Sequence, residues 1–204
     1  MIEIYHAPRA RSNRVIWLAE EMGLAYQAKV IKLGEKPPEI LAHNPGATVP
    51  LMIDGDRVLF ESVTIMEYLA DTYGPTDLVI GHDEPGYWDY RQMLLFGEAT
   101  LAGPLNALVG TTLVAPQNER RNFTTDVIRE GFKKRLGVIA QRLETSDYVA
   151  GGRFTIADIS SVYAIILALQ IEIFGLRDTI AEELVSYAQR LIDRPAYQRM
   201  LAVK

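Results

Sequence analysis

Strand signals in this chain nearly vanish after Gly74-Pro75, and the long patterns beyond it are helical. That one-way change fixes most of what the chain can become. Ile2 to His6 alternates like a half-buried strand. Ser12 to Met22 then carries Val15, Ile16, Leu18, Ala19 and Met22 at helical spacing, and Gly23 stops it. A second strand reads from Ala25 to Leu33. Two such strands joined through a helix run parallel with a right-handed crossover. Glu35 to His43 supplies one or two helical turns, closed by the turn formers Asn44-Pro45-Gly46. Leu51 to Ile53 and Val58 to Phe60 flank Asp54-Gly55-Asp56, a hairpin signal, and a helix follows from Ser62 to about Tyr73. Residues 1–76 are thus expected to form a small α/β domain of order βαβ-α-ββα.

Residues 77–86 turn polar and rich in turn formers through Gly81, His82, Asp83 and Glu84-Pro85-Gly86, the composition of a linker. Residues 87–204 read as an all-α domain, with helices expected near 87–113, 118–143, 155–174 and 179–192. One helix start is explicit: Phe154-Thr155-Ile156-Ala157-Asp158-Ile159. Thr155 is expected to cap the amide of Asp158 while the Asp158 carboxylate reaches back to the Thr155 amide, with Phe154 stapled against Ile159. A catalytic acid is the alternative for Asp158, but the capping spacing explains both residues as structural.

The residue inventory removes several chemistries. Of the 204 residues 49% are apolar and 23% charged, so the chain can bury a core as ordinary globular proteins do. Cysteine is absent, which removes disulfides, CxxC redox chemistry, a cysteine nucleophile and thiolate-bound zinc. Any thiol chemistry must use a sulfur that arrives with a ligand. The only histidines are His6, His43 and His82, without metal-ligand spacing, so no bound metal is expected. A net charge of −5 gives no footprint for nucleic acid or anionic lipid. No secretory pattern opens the chain, and the longest apolar run, Val162 to Leu169, falls short of the roughly 20 residues that span a bilayer. The expectation is a cytoplasmic protein that binds small molecules or proteins and no membrane.

Three segments carry a resemblance that covers nearly the whole chain: YHAPRARSNRVIWLAEEMGL, NPGATVPLMIDGDRVLFES followed by VTIMEYLADTYG, and FTIADIS. In this order and spacing the sequence resembles the cytosolic glutathione transferases. The resemblance implies a thioredoxin-like N-terminal domain, a helical C-terminal domain, glutathione as co-substrate and a small electrophile as second substrate. It also implies a two-fold homodimer in which the N-terminal half of one subunit meets the helical half of the other, and a cis bond at Pro50. Val49-Pro50 stands at a strand entry, where the amide and carbonyl of Val49 can pair with an extended peptide as a sheet edge pairs with a strand. Thr48 belongs to the same turn. Glu61-Ser62 opens a helix, whose unpaired amides and partial positive charge suit a carboxylate, while Glu61 suits an ammonium group. The resemblance assigns that pair to the γ-glutamyl end of glutathione; simple helix capping by Ser62 is the other reading. Lys36 lies where relatives place a cation for the glycine carboxylate, although a solvated lysine needs no such role.

Lowering a thiol pKa from about 8.5 requires a donor or a positive charge beside the sulfur. Three residues compete for that task. Ser12 starts the first helix and is expected either to stabilise the thiolate or to serve as N-cap. Tyr5 closes the first strand and can donate its phenol, or it can pack as a strand aromatic. Arg11 can offer its guanidinium to the thiolate or to a glutathione carboxylate. Two departures accompany the resemblance: Ala10 stands where similar bacterial and fungal sequences carry Ser, and Gly46-Ala47 has its glycine one position early.

Overall fold

The structure, a computed structural model, describes all residues from Met1 to Lys204. The elements run β1 (Ile2–His6), α1 (Ser12–Glu21), β2 (Tyr26–Val30), α2 (Pro38–His43), β3 (Leu51–Asp54), β4 (Arg57–Phe60) and α3 (Ser62–Tyr73). They continue with α4 (Tyr87–Leu95), α5 (Gly103–Val109), α6 (Phe123–Leu143), α7 (Ile156–Gln170), α8 (Glu182–Ile192) and α9 (Pro195–Ala202). Two compact units form: Met1–Asp77 together with Ile192–Lys204, and Leu78–Leu191.

The first unit is built on a four-stranded sheet of order β2-β1-β3-β4. β1 and β2 are parallel, as the helix between them demands; β1–β3 and β3–β4 are antiparallel, as the hairpin demands. α1 packs on β1 and α3, burying Val15, Ile16, Trp17, Leu18 and Ala19. Each large apolar side chain among them contributes about 1.5–3 kcal/mol when removed from water. The helix stops where Gly23 takes φ +64, a conformation open to glycine, and the Leu24 amide returns to the Ala19 carbonyl at 2.9 Å.

Composition groups all of 87–204 with the helical domain, whereas Ile192–Lys204 joins the first unit. The reason lies in what α9 meets. Tyr197 packs edge-on against Trp17 with ring centroids 4.8 Å apart, and Arg194 holds the Glu21 carboxylate with bonds of 2.6 and 2.9 Å. Arg199 donates to the Glu20 carboxylate at 2.6 Å and to its carbonyl at 2.9 Å. The turn-rich residues after Asp77 are likewise anchored. The Leu78 carbonyl accepts from the Ile156 amide at 2.8 Å, the Val79 carbonyl accepts from Arg153 at 2.8 Å, and Ile80 is buried.

In the second unit the helix expected near 87–113 is helical throughout but widens into π turns at Phe96–Ala102 and Gly110–Val114. Gly97 explains the first of these. A Cβ there would stand 2.6 Å from Ser160, so the backbones touch, and Ser160 and Ser161 donate to the Leu94 and Met93 carbonyls at 2.8 and 3.3 Å. The stretch Tyr87–Val114 is long and apolar enough to cross a bilayer by length and composition, yet Tyr90, Met93, Leu94, Leu101, Leu105 and Leu108 are buried within the protein. α7 is buried from Ile156 to Ala168.

Both halves of the capping box at the start of α7 are present. Thr155 Oγ1 accepts from the Ala157 amide at 3.3 Å, and the Asp158 carboxylate accepts from the Thr155 amide at 2.9 Å. Asp158 also accepts from the Val149 amide at 3.0 Å and from the Tyr187 hydroxyl at 2.8 Å. Burial pushes its carboxyl up to about 6 against the opposing pull of these donors.

Candidate functional site

Strand register decides which chain ends meet. Tyr5 of β1 pairs with Leu51 of β3, and Leu51 pairs with Phe60 of β4. The exit of β1, the entry of β3 and the exit of β4 therefore share one end of the sheet. The loop into α1 leaves from that end, the turn Thr48-Val49-Pro50 enters there, and α3 begins there with Glu61-Ser62. Residues scattered over the sequence from 5 to 62 are gathered by the register alone.

The Val49-Pro50 bond is cis, as the resemblance implies. Pro50 is buried, Val49 is half-buried against Tyr5, Ile40 and Leu51, and Thr48 is exposed. Asn44 holds this turn. Its amide nitrogen donates to the Thr48 hydroxyl at 2.9 Å, and its Oδ1 accepts from the Gly46 amide at 3.0 Å. Ala47 occupies the left-handed region at φ 50. The early glycine has a local cause, since a Cβ at Gly46 would stand 3.1 Å from Asn44 Oδ1.

At α3 the N-cap is Glu61, at φ 75 and ψ 112, and it makes no side-chain cap. Such a backbone costs a non-glycine residue on the order of 1–3 kcal/mol and is found where geometry serves a site. Ser62 is the first helical residue rather than the cap, and the first intrahelical bond is from the Ile65 amide to the Glu61 carbonyl at 3.0 Å. The amides of residues 62–64 precede it, forming an end suited to an anion. Glu61 itself is exposed beside them.

The three competitors for thiol activation sit differently. Ser12 is fully buried, and its hydroxyl lies 2.9 Å from His6 Nδ1, 3.1 Å from the Ala7 amide that donates to it and 3.2 Å from the Ala7 carbonyl. That hydroxyl ties the loop to the strand end. Burial lowers the His6 pKa, so its ring is held neutral. Tyr5 packs into the cluster with Ile40 and Leu51; desolvation, with smaller contributions from Glu39 and Glu3, raises its phenol above the usual range. Arg11 is half-buried as the N-cap residue of α1, which has no side-chain cap. Lys36 is exposed in the coil between β2 and α2. Thr155 and Asp158 lie in the second unit, within the capping box.

Sequence reasoning passed over Arg14, His6 and Asn44. Arg14 is fully buried, and its Nη1 donates to the Ser62 hydroxyl at 3.2 Å. Its sequence signal was a lone charge on an apolar helix face, three residues before Trp17 and four before Leu18. Asn44 carried a turn signal, but only the fold shows that it holds Thr48.

Residues 10–72 match the family described as glutathione S-transferase, N-terminal domain, and residues 105–195 match glutathione S-transferase, C-terminal domain. Glutathione S-transferase 1 of Schizosaccharomyces pombe is 32% identical over 164 residues, which cover 77% of this chain and 71% of that one. A glutathione transferase family member from Pseudomonas fluorescens Pf-5, solved with two glutathione bound, superposes with a TM-score of 0.82 at 25% identity, over 98% of this chain and 92% of that one. A glutathione transferase from Pseudomonas putida, solved with one glutathione disulfide per subunit, shares the fold at a TM-score of 0.87 and 22% identity, covering 99% of this chain and 91% of the other.

Proposed function

The chain belongs to the glutathione S-transferase family, and on that premise we propose that it binds glutathione at this end of its sheet and delivers the thiolate to a small hydrophobic electrophile or a peroxide. One observation carries this reading: the register brings the cis Val49-Pro50 turn and the start of α3, where Glu61 makes no side-chain cap, to the same end of the sheet. Val49 pairs its backbone with the cysteinyl residue of the peptide, as an added strand would. Ser62 and the first amides of α3 take the γ-glutamyl carboxylate, Glu61 takes the ammonium group, and Lys36 faces the glycine carboxylate.

For activation we favour Arg11 with the amides of the α1 N-terminus, because the Ser12 hydroxyl is turned toward His6 and Ala7 and the Tyr5 ring packs against Ile40 and Leu51. A guanidinium and helix amides beside the sulfur favour its ionised form. The thiolate then forms a carbon–sulfur bond, and the leaving group departs with its electron pair. The same reading takes the protein to be a cytoplasmic homodimer. Isomerase, dehalogenase and disulfide-reductase reactions would use the same glutathione site.

A second reading, glutathione binding without catalysis, is supported by Ala10 and by the inward Ser12 hydroxyl, which leave the loop without an exposed hydroxyl. Calorimetry with glutathione, the ultraviolet thiolate band of the bound peptide and conjugation of a chloronitrobenzene separate the two. Heat, band and turnover are expected, with Arg11→Ala losing the band near neutral pH and about tenfold or more in turnover. Heat without band or turnover leaves the binding reading standing; no heat at millimolar glutathione removes both.

A further inference from the structure

We propose that Arg14 is the positioning residue that fixes the Ser62 hydroxyl as a donor toward the carboxylate of the bound peptide. The inference rests on the glutathione reading and adds a residue outside the resemblance-derived site. Arg14 shows 0% of its surface and Ser62 only 1%, and the guanidinium reaches from α1 to the first residue of α3 at 3.2 Å.

The direction of that bond follows from chemistry alone. A guanidinium carries donors and no acceptor, and it stays charged at every physiological pH. Ser62 must therefore accept from Arg14, and its own hydrogen has to leave in another direction. A serine inside a helix often gives that hydrogen to the carbonyl one turn earlier. Ser62 is the first residue of α3, so no helical carbonyl stands there. The hydrogen is thereby directed to an incoming acceptor, next to the open amides of the same turn. A carboxylate answers that arrangement and a carboxamide does so poorly, because one half of the amide presents donors to donors.

Burying the Arg14 charge is costly, and a hydrophobic side chain of similar length would fill the inner face of α1 without that cost. What such a replacement would lack is the obligatory donor. With Glu61 exposed alongside, the constellation selects an α-amino carboxylate: anion against Ser62 and the amides, cation against Glu61.

The test compares glutathione with an analogue whose γ-glutamyl carboxylate is a primary amide, titrated by calorimetry into the wild-type chain, Arg14→Met, Arg14→Gln, Arg14→Lys and Ser62→Ala. Wild type is expected to prefer the carboxylate by on the order of tenfold or more, as hydrogen bonds to charged groups do. Arg14→Met and Arg14→Gln lose that preference, the latter because glutamine offers an acceptor that lets the Ser62 hydrogen turn inward. Arg14→Lys, a donor without an acceptor, restores most of it. Adding Ser62→Ala to Arg14→Gln changes little, since both act through one bond. A purely structural role would weaken both ligands alike and leave the preference intact, which overturns the proposal. Should Arg14→Met not fold, the Gln and Lys pair carries the same comparison. Wild type that binds glutathione with no dependence on residue 14 overturns this inference alone; wild type that binds none overturns the glutathione reading with it.

Discussion

Ala47 shows how a single backbone angle is shared out within a turn. It sits at φ 50, a region that costs an L-residue with a Cβ about 1 kcal/mol relative to glycine, while the neighbouring glycine at 46 keeps room for the Asn44 side chain. Ala47→Gly is expected to stabilise the protein by about 0.5–1 kcal/mol, raising Tm by about 1–4 °C in a scan. No change, or a loss, would show that the turn gains nothing from relief at this residue. The sequence exposed the misplaced glycine but not its cause. The bonds that tie Asn44 to Gly46 and Thr48 stay within one turn, whereas the bond from Arg14 to Ser62 joins two distant helices. The type of residue 14 was legible but its partner was not, because a hydrogen bond between residues far apart in the chain leaves no local pattern.

At the scale of elements, strands and helices were readable wherever periodicity was strong. The hairpin at Asp54-Gly55-Asp56, α1 ending at Gly23 and the capping box of α7 all stand where local chemistry points. The π turns after Leu95 had no such signal, since the first of them arises from contact with Ser160 and Ser161. The cap of α7 also carries a pH dependence. The Asp158 carboxyl is held near 6 in the folded protein, above its ordinary value, so the folded state binds its proton more tightly than the unfolded state does. The resulting stability is full below about pH 4 and is lost as pH rises through 6, because the unfolded chain gives up this proton first. Asp158→Asn, which turns a donor toward the Thr155 amide, is expected to cost about 2–4 kcal/mol at pH 5 in urea unfolding, with the gap narrowing toward pH 7. A gap that widens as pH rises would contradict the assigned direction.

For the whole molecule, the two units each leave apolar side chains in water: Phe60 on the edge strand β4 is 47% exposed, and Trp88 on α4 is 75% exposed. If the proposed homodimer covers them, light scattering gives a mass near twice 22.9 kDa, and Phe60→Asp or Trp88→Asp shifts it toward a single chain; a wild-type mass of one chain rejects the dimer. By itself the sequence determined the change from α/β to all-helical patterning, the parallel and antiparallel pairings, the absence of any protein thiol and the two segments proposed to hold a peptide. These follow from local rules: period, turn chemistry and residue inventory. Only the tertiary structure decided that Ile192–Lys204 joins the first unit, that the Ser12 hydroxyl faces His6 and Ala7, and that a buried arginine stands behind Ser62. An amphipathic helix announces that it has an apolar face, and a polar residue that it needs a partner. Which surface covers that face, and which partner answers, depends on residues many positions away that only folding brings together.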